Sequence, residues 1–281
     1  MQDAGYQTAA FVSAFTLDEI FGLGHGFQVY DDRYATGEKP GIYPERRAED
    51  TTHAALAWLA GIGNQPYFLW VHYFDPHAPY SPPPSHALLF PDSPYDGEIS
   101  YMDEQMERLL NNLPRPQDTI LLVVGDHGES LGDHGEETHG VFVYESCLRV
   151  PCVLWMPKSR IRPRIVYEPI SLVELMDCCL EIMRLSRISS RILRLARGEN
   201  VSPLPVFFES VHGQLQYGWA AISGVRDGAL KYIDAPRPEL YDLSADPGEL
   251  NNLHGKHPET SRLASLVASQ GIQDGKWYDQ A

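Results

Sequence analysis

The chain has 281 residues, 43% of them hydrophobic and 21% charged, the balance of a globular protein with material for one large or two unequal domains. A formal net charge of −16 provides no basic field for phosphate backbones, so nucleic acid is not an expected partner, and an anionic substrate has to be held by local groups. No apolar run reaches the roughly 18 residues of a bilayer span, so no membrane span is expected.

Met1 to Tyr6 has neither the basic start nor the apolar stretch of a signal peptide, and no compartment is assigned. Cys147, Cys152, Cys178 and Cys179 form no CxxC pair and no zinc-finger spacing, and read as buried free thiols.

In chain order, residues 4–15 read as a helix end, a glycine turn and a short apolar strand. A polar stretch with Gly and Pro follows from 21 to 46. Ala55, Leu56, Leu59 and Ala60 predict a helix over 49–62. Tyr67 to His72, rich in β formers, predicts a strand buried on both faces. Ile99, Met102, Met106, Leu109 and Leu110 predict an amphipathic helix over 95–113, with Glu98, Asp103 and Glu104 at its start and on its solvated face. A second buried strand is expected over 119–125, a third over 150–156, and a helix over 171–183. Residues 184–205 read as a loop with a short helix, 206–233 as short strands, and 239–249 as turn-rich. Strands alternating with helices predict an α/β fold with a mostly parallel central sheet flanked by helices. The expected domains are a larger one over 1–199 and a smaller α+β subdomain over 200–281.

Three motifs carry chemistry. Gly125-Asp126-His127-Gly128-Glu129 follows a predicted strand, where ligand sites of α/β sheets gather. Asp126 offers a hard oxygen and His127 an imidazole nitrogen to one divalent cation, against the plainer reading of a polar helix-capping turn. In the stretch from His72 to Tyr80, Pro76 and Pro79 stiffen a turn around His77. A fixed imidazole there binds an oxyanion or protonates a leaving group, unless the histidines only brace a surface loop. The third stretch, Leu131 to Gly140, adds His134 and His139; Asp133 and His134 read as loop-bracing groups, and His139 as the candidate for direct substrate contact.

VHYFDPHAPY, GDHGESLGDHGE, THGVFVYESCLRVP and ELYDLSADPGELNNL, in this order, resemble the sulfatase family of the alkaline phosphatase superfamily over about residues 6–253. The resemblance implies an alkaline phosphatase-like α/β domain with a smaller C-terminal domain, hydrolysing small-molecule or glycan sulfate esters around a divalent metal. Calcium is the first choice by family, with manganese or zinc as alternatives. By motif, Asp126 and His127 match two metal ligands. His77 matches a histidine touching the transferred sulfuryl group, and His139 falls where many members have a sulfate-binding lysine. His72 and His134 are expected beside the substrate, and Glu209, Ser210 and His212 lie in a stretch expected to line its pocket. The 15 tyrosines and 5 tryptophans offer surface for stacking on a sugar, although core packing is their commoner use.

The family's nucleophile motif, C/S-x-P-x-R, does not occur in these residues. The resemblance thus leads to the expectation of an N-terminally truncated reading, without the first strand and the nucleophile segment. Two other functions fit the residues: a two-metal phosphatase or phosphodiesterase of the same superfamily, and a non-catalytic sulfatase-like binding protein.

Overall fold

A computed structural model describes residues 1–34, 45–185 and 187–270. Parts of three expected segments (35–44, 186 and 271–281) lie outside the described residues. The chain packs as two units, Met1–Ile120 and Leu121–Ala281.

The first unit is built on a parallel sheet. A 3-10 turn, Gln2–Ala4, ends at Gly5 in the left-handed region and leads into β1 (Gln7–Phe11). β1 lies between β2 (Val29–Asp31) and β3 (Tyr67–Val71), both parallel to it. A central strand covered on both faces needs small side chains, and Thr8, Ala9, Ala10 and Phe11 are all buried. Helix α1 (Ala48–Gly61) buries Ala48, Thr51, Thr52, Ala55 and Leu59, a stripe at helical spacing, and Ala55 and Leu59 join Ala9 and Phe11 in one core. α2 (Pro84–Leu89) and α3 (Pro94–Asn111) complete the unit.

The expected α3 helix exists, but its buried stripe differs from the predicted one. Gly97, Glu98, Tyr101, Gln105 and Leu109 are buried, whereas Ile99 is exposed. Glu98 is therefore not on a solvated face. A Cβ at Gly97 would lie 2.9 Å from Pro82 Cγ, so this glycine lets the preceding turn close onto the helix.

In the second unit, β4 (Leu121–Val124) and β5 (Cys152–Trp155) form an antiparallel ribbon. Both strands were expected to be buried in a parallel sheet. Instead Val124, Val153 and Trp155 are exposed, because an apolar β run specifies a strand but not what covers it. Between the two strands lies α4 (Glu145–Leu148), and α5 (Glu174–Ile182) and α6 (Arg191–Arg197) follow β5. An antiparallel sheet then runs through β6 (Val206–Ser210), β7 (Ile222–Asp227), β8 (Leu230–Asp234) and β9 (Glu239–Asp242), with α7 (His212–Tyr217) after β6. The stretch expected to be turn-rich thus contains a strand, with Leu240 and Tyr241 buried. α8 (Thr260–Ser269) packs Leu263 and Val267 on Val225, Tyr232 and Leu240. The fold is mixed α/β, with a parallel sheet and helices beside antiparallel sheets. The four cysteines are free; Cys147 and Cys178 are buried as expected, while Cys152 is exposed.

Candidate active site

The candidate residues fall in both units. In the first, His72 follows β3 directly. Its N–H donates to Phe11 O at 2.9 Å, its carbonyl receives Ser13 Oγ at 2.6 Å, and its Nδ1 receives the Ser13 N–H at 3.4 Å. The ends of β1 and β3 thereby fix its backbone.

His77 sits in a turn whose Asp75–Pro76 and Ala78–Pro79 bonds are both cis. Its ring stacks on Phe74 with centroids 4.0 Å apart, and Nδ1 donates to Ala78 O at 2.7 Å. The Nδ1 proton leaves Nε2 as the lone-pair nitrogen of the neutral ring. Two buried carboxylates hold this turn. Glu98 accepts the N–H groups of His77 (3.1 Å) and Ser81 (2.7 Å). Asp75 accepts the Ala48 N–H at the start of α1 (2.9 Å) and pairs with Arg47 (2.9 Å). Burial pushes the Glu98 carboxyl up, against the lowering effect of the Ser81 and His77 donors.

In the second unit, the GDHGE turn leaves β4 with Gly125 N–H donating to Pro151 O (3.1 Å) and Gly128 N–H to Cys147 O (2.7 Å). A Cβ at Gly128 would lie 2.0 Å from Ser146 O, so only glycine fits this approach of two backbones. Asp126 is exposed and accepts the His127 N–H at 3.0 Å. His127 Nδ1 donates to Gly128 O (2.9 Å), which leaves Nε2 as the lone-pair nitrogen of the neutral ring, 3.8 Å from Asp126 Oδ2.

The fold brings His139 onto His127, their rings stacked with centroids 4.1 Å apart. Behind it, the Glu129 side chain is 4% exposed, and both its oxygens lie 3.2 Å from His139 Nδ1. Nδ1 therefore carries the proton, and Nε2 is the nitrogen turned to other work. His134 is engaged elsewhere: its ring stacks on Tyr144 at 3.5 Å and Nε2 donates to Gly248 O at 3.1 Å. This braces the loop against the DPGEL turn.

Sequence reading did not single out Glu129, Glu98 or the ion pairs beneath α4. There the fully buried Lys231 lies 2.7 Å from Glu249 and 3.3 Å from Glu145, while Glu145 also takes Arg226 at 2.7 Å. Glu129 and Glu145 stand inside quoted motifs, but nothing in a motif says which carboxylate turns inward.

As a metal site, Asp126 and His127 have suitable donors close enough to share one divalent cation. Among the described residues, however, no group of three or more His, Cys, Asp or Glu is placed to hold a metal. The pair fits part of a coordination shell and does not make a complete one. A cavity of about 750 Å³ in the first unit, lined by Asp31, Arg46, Asp50, His53 and Trp58 among others, includes none of the candidate residues.

A family profile described as Sulfatase matches residues 1–185. Choline-sulfatase of Rhizobium meliloti (strain 1021) is 30% identical over 200 residues, 66% of this chain and 38% of its own length. N-acetylgalactosamine-6-O-sulfatase of Bacteroides thetaiotaomicron is 24% identical over 280 residues, 84% of this chain and 53% of its own. This chain thus spans about two fifths to half of the length of these curated relatives. Among solved structures, a protein in complex with its substrate D-glucosamine-2-N,6-O-disulfate superposes with a TM-score of 0.74 at 18% identity, over 97% of this chain and 80% of that one. A phosphonate monoester hydrolase from Silicibacter pomeroyi gives 0.66 at 20% identity, over 96% and 78%. These two likenesses show the shared fold. The profile covers well over half of the chain, and the chain belongs to the sulfatase family.

Proposed function

We propose that this chain serves the hydrolysis of sulfate esters, in which ROSO3⁻ and water give an alcohol and bisulfate. The observation that carries the reading is the His127–His139 stack beside Asp126 at the end of β4, with Glu129 behind it. Asp126 and His127 would hold a divalent metal in part, calcium first and manganese or zinc as alternatives, and the metal would supply positive charge against the sulfuryl oxygens. In its imidazolium form, with Nδ1–H held by Glu129, His139 binds a sulfuryl oxygen through Nε2–H or gives that proton to the departing alcohol. His77, in its fixed turn, contacts the transferred sulfuryl group. His72 and His134 remain substrate-side histidines, His134 also acting as a brace. The nucleophile stays unassigned, since no C/S-x-P-x-R motif occurs in the 281 residues.

The test is release of 4-nitrophenol from its sulfate and phosphate esters by the purified protein, with calcium, manganese or zinc added. Metal-dependent cleavage of the sulfate, lost in Asp126→Ala, supports the reading. Faster cleavage of the phosphate would replace it with a phosphatase. Sulfate-ester binding that chelators leave unchanged, with no cleavage, would make the chain a binding protein.

A further inference from the structure

We propose that Tyr217 and Trp219 form a stacking subsite for the sugar ring of a sulfated glycan, next to the His139 turn. The proposal rests on the sulfate-ester reading above and adds to it the class of alcohol that carries the sulfate.

The platform is built by the end of α7. Gly218 takes the left-handed conformation at φ 68°, and its N–H donates to Gln214 O at 3.0 Å, which turns the chain back over the helix. Trp219 N–H then donates to Gly213 O at 3.2 Å, and its indole lies over Gly213, where an added Cβ would meet Trp219 Cε3 at 3.2 Å. The tyrosine and tryptophan rings come to 4.8 Å between centroids at 32°. Neither ring packs in the core: Tyr217 is 60% and Trp219 57% exposed. The two rings lean on one another at this distance and leave their outer surfaces to water, which is costly as structure and apt as a binding surface.

Their position ties them to the candidate site within the same unit. Ser210 Oγ donates to the carbonyl of Gly140, the residue after His139. A Cβ at Gly140 would lie 3.8 Å from His212 Cγ, and the His212 ring meets Tyr217 edge-on at 6.2 Å. Ser210 thus ties the 139–140 turn to the end of the strand before α7, and His212 lies close to Gly140 on one side and to Tyr217 on the other. Exposed His212, edge-on to Tyr217, supplies a polar group beside it. A pyranose ring has an apolar C–H face for stacking and a rim of hydroxyls for such groups, whereas a small flexible alcohol such as choline has no flat face to offer.

Calorimetric titration of the purified protein with N-acetylglucosamine 6-sulfate, choline sulfate and inorganic sulfate tests this. The sugar sulfate is expected to bind more tightly than the other two. Trp219→Ala and Tyr217→Ala should each weaken it about tenfold, the scale of one aromatic contact, and leave inorganic sulfate unchanged. Trp219→Phe, which keeps a flat ring, should restore most of the loss. The subsite is overturned if the sugar sulfate and inorganic sulfate bind alike, if the alanine variants leave sugar binding intact, or if they weaken both ligands equally. Failure of the wild-type protein to bind any of the three would sink the sulfate-ester reading together with the subsite.

Discussion

Glu129 and His139 form a part-buried carboxylate–imidazole pair in which both carboxylate oxygens lie 3.2 Å from Nδ1, while the imidazole ring stacks on His127. This pair gives one histidine a defined proton position at the mouth of the site. Removing the carboxylate in Glu129→Ala frees both the tautomer and the ring orientation. Under the proposed function, sulfate-ester turnover should then fall by about tenfold to a hundredfold, the range for losing the group that orients an active imidazole. Glu129→Gln, which still offers an oxygen to Nδ1–H, should lose less. The ring 15N shifts of His139 provide the check apart from activity: they should report Nδ1–H in the wild type and a tautomer mixture in the alanine variant.

The turn around His77 depends on Glu98 in the same way, but through its backbone. Glu98→Ala leaves the N–H groups of His77 and Ser81 without their acceptor, and should cost about 1–3 kcal/mol in chemical denaturation.

Glu98 also predicts a pH effect. Burial raises its folded pKa above the unfolded value, so the fold favours the protonated form. Its contribution is complete below the unfolded carboxylate pKa and is lost as pH rises through the raised folded value. The stability of the wild type minus that of Glu98→Gln should therefore decline as pH rises out of the ordinary carboxylate range. A flat difference across that range would refute the burial argument.

Gly128 brings the GDHGE turn against α4, with no room for a methyl group beside Ser146 O. Gly128→Ala has to push these backbones apart and should destabilise the protein by about 1–3 kcal/mol. The same shift separates Gly128 N–H from Cys147 O, so hydrogen exchange at residue 128 should quicken along with the loss of stability.

Lys231 is fully buried against Glu249 and Glu145. Lys231→Met leaves carboxylates buried without their cation and should cost about 3–5 kcal/mol. Adding Glu249→Gln removes one of those charges, so the double variant should be more stable than Lys231→Met alone. The absence of coupling between Lys231 and Glu249 would show as Glu249→Gln changing stability by the same amount in the wild type as in Lys231→Met.

Much of this protein is legible in its residues. The apolar runs at Tyr67–Val71 and Leu121–Val124 are strands, the spacing of Ala55 and Leu59 is helical, and the order of four motifs leads to the sulfatase family. These properties are local: strand formation, helix periodicity and turn chemistry depend on neighbours a few positions away. Tertiary structure alone decided that β4 and β5 pair antiparallel and stay exposed, that α3 buries Glu98 rather than Ile99, and that Glu239–Asp242 is a strand. It alone decided that Glu129 faces His139, that Lys231 is sealed in a cluster of carboxylates, and that Tyr217 and Trp219 stand exposed against each other. The reason is physical: burial and side-chain pairing arise from contacts between segments far apart in the chain, and an isolated carboxylate or aromatic residue has the same local signature whether it faces solvent, a histidine or a ligand.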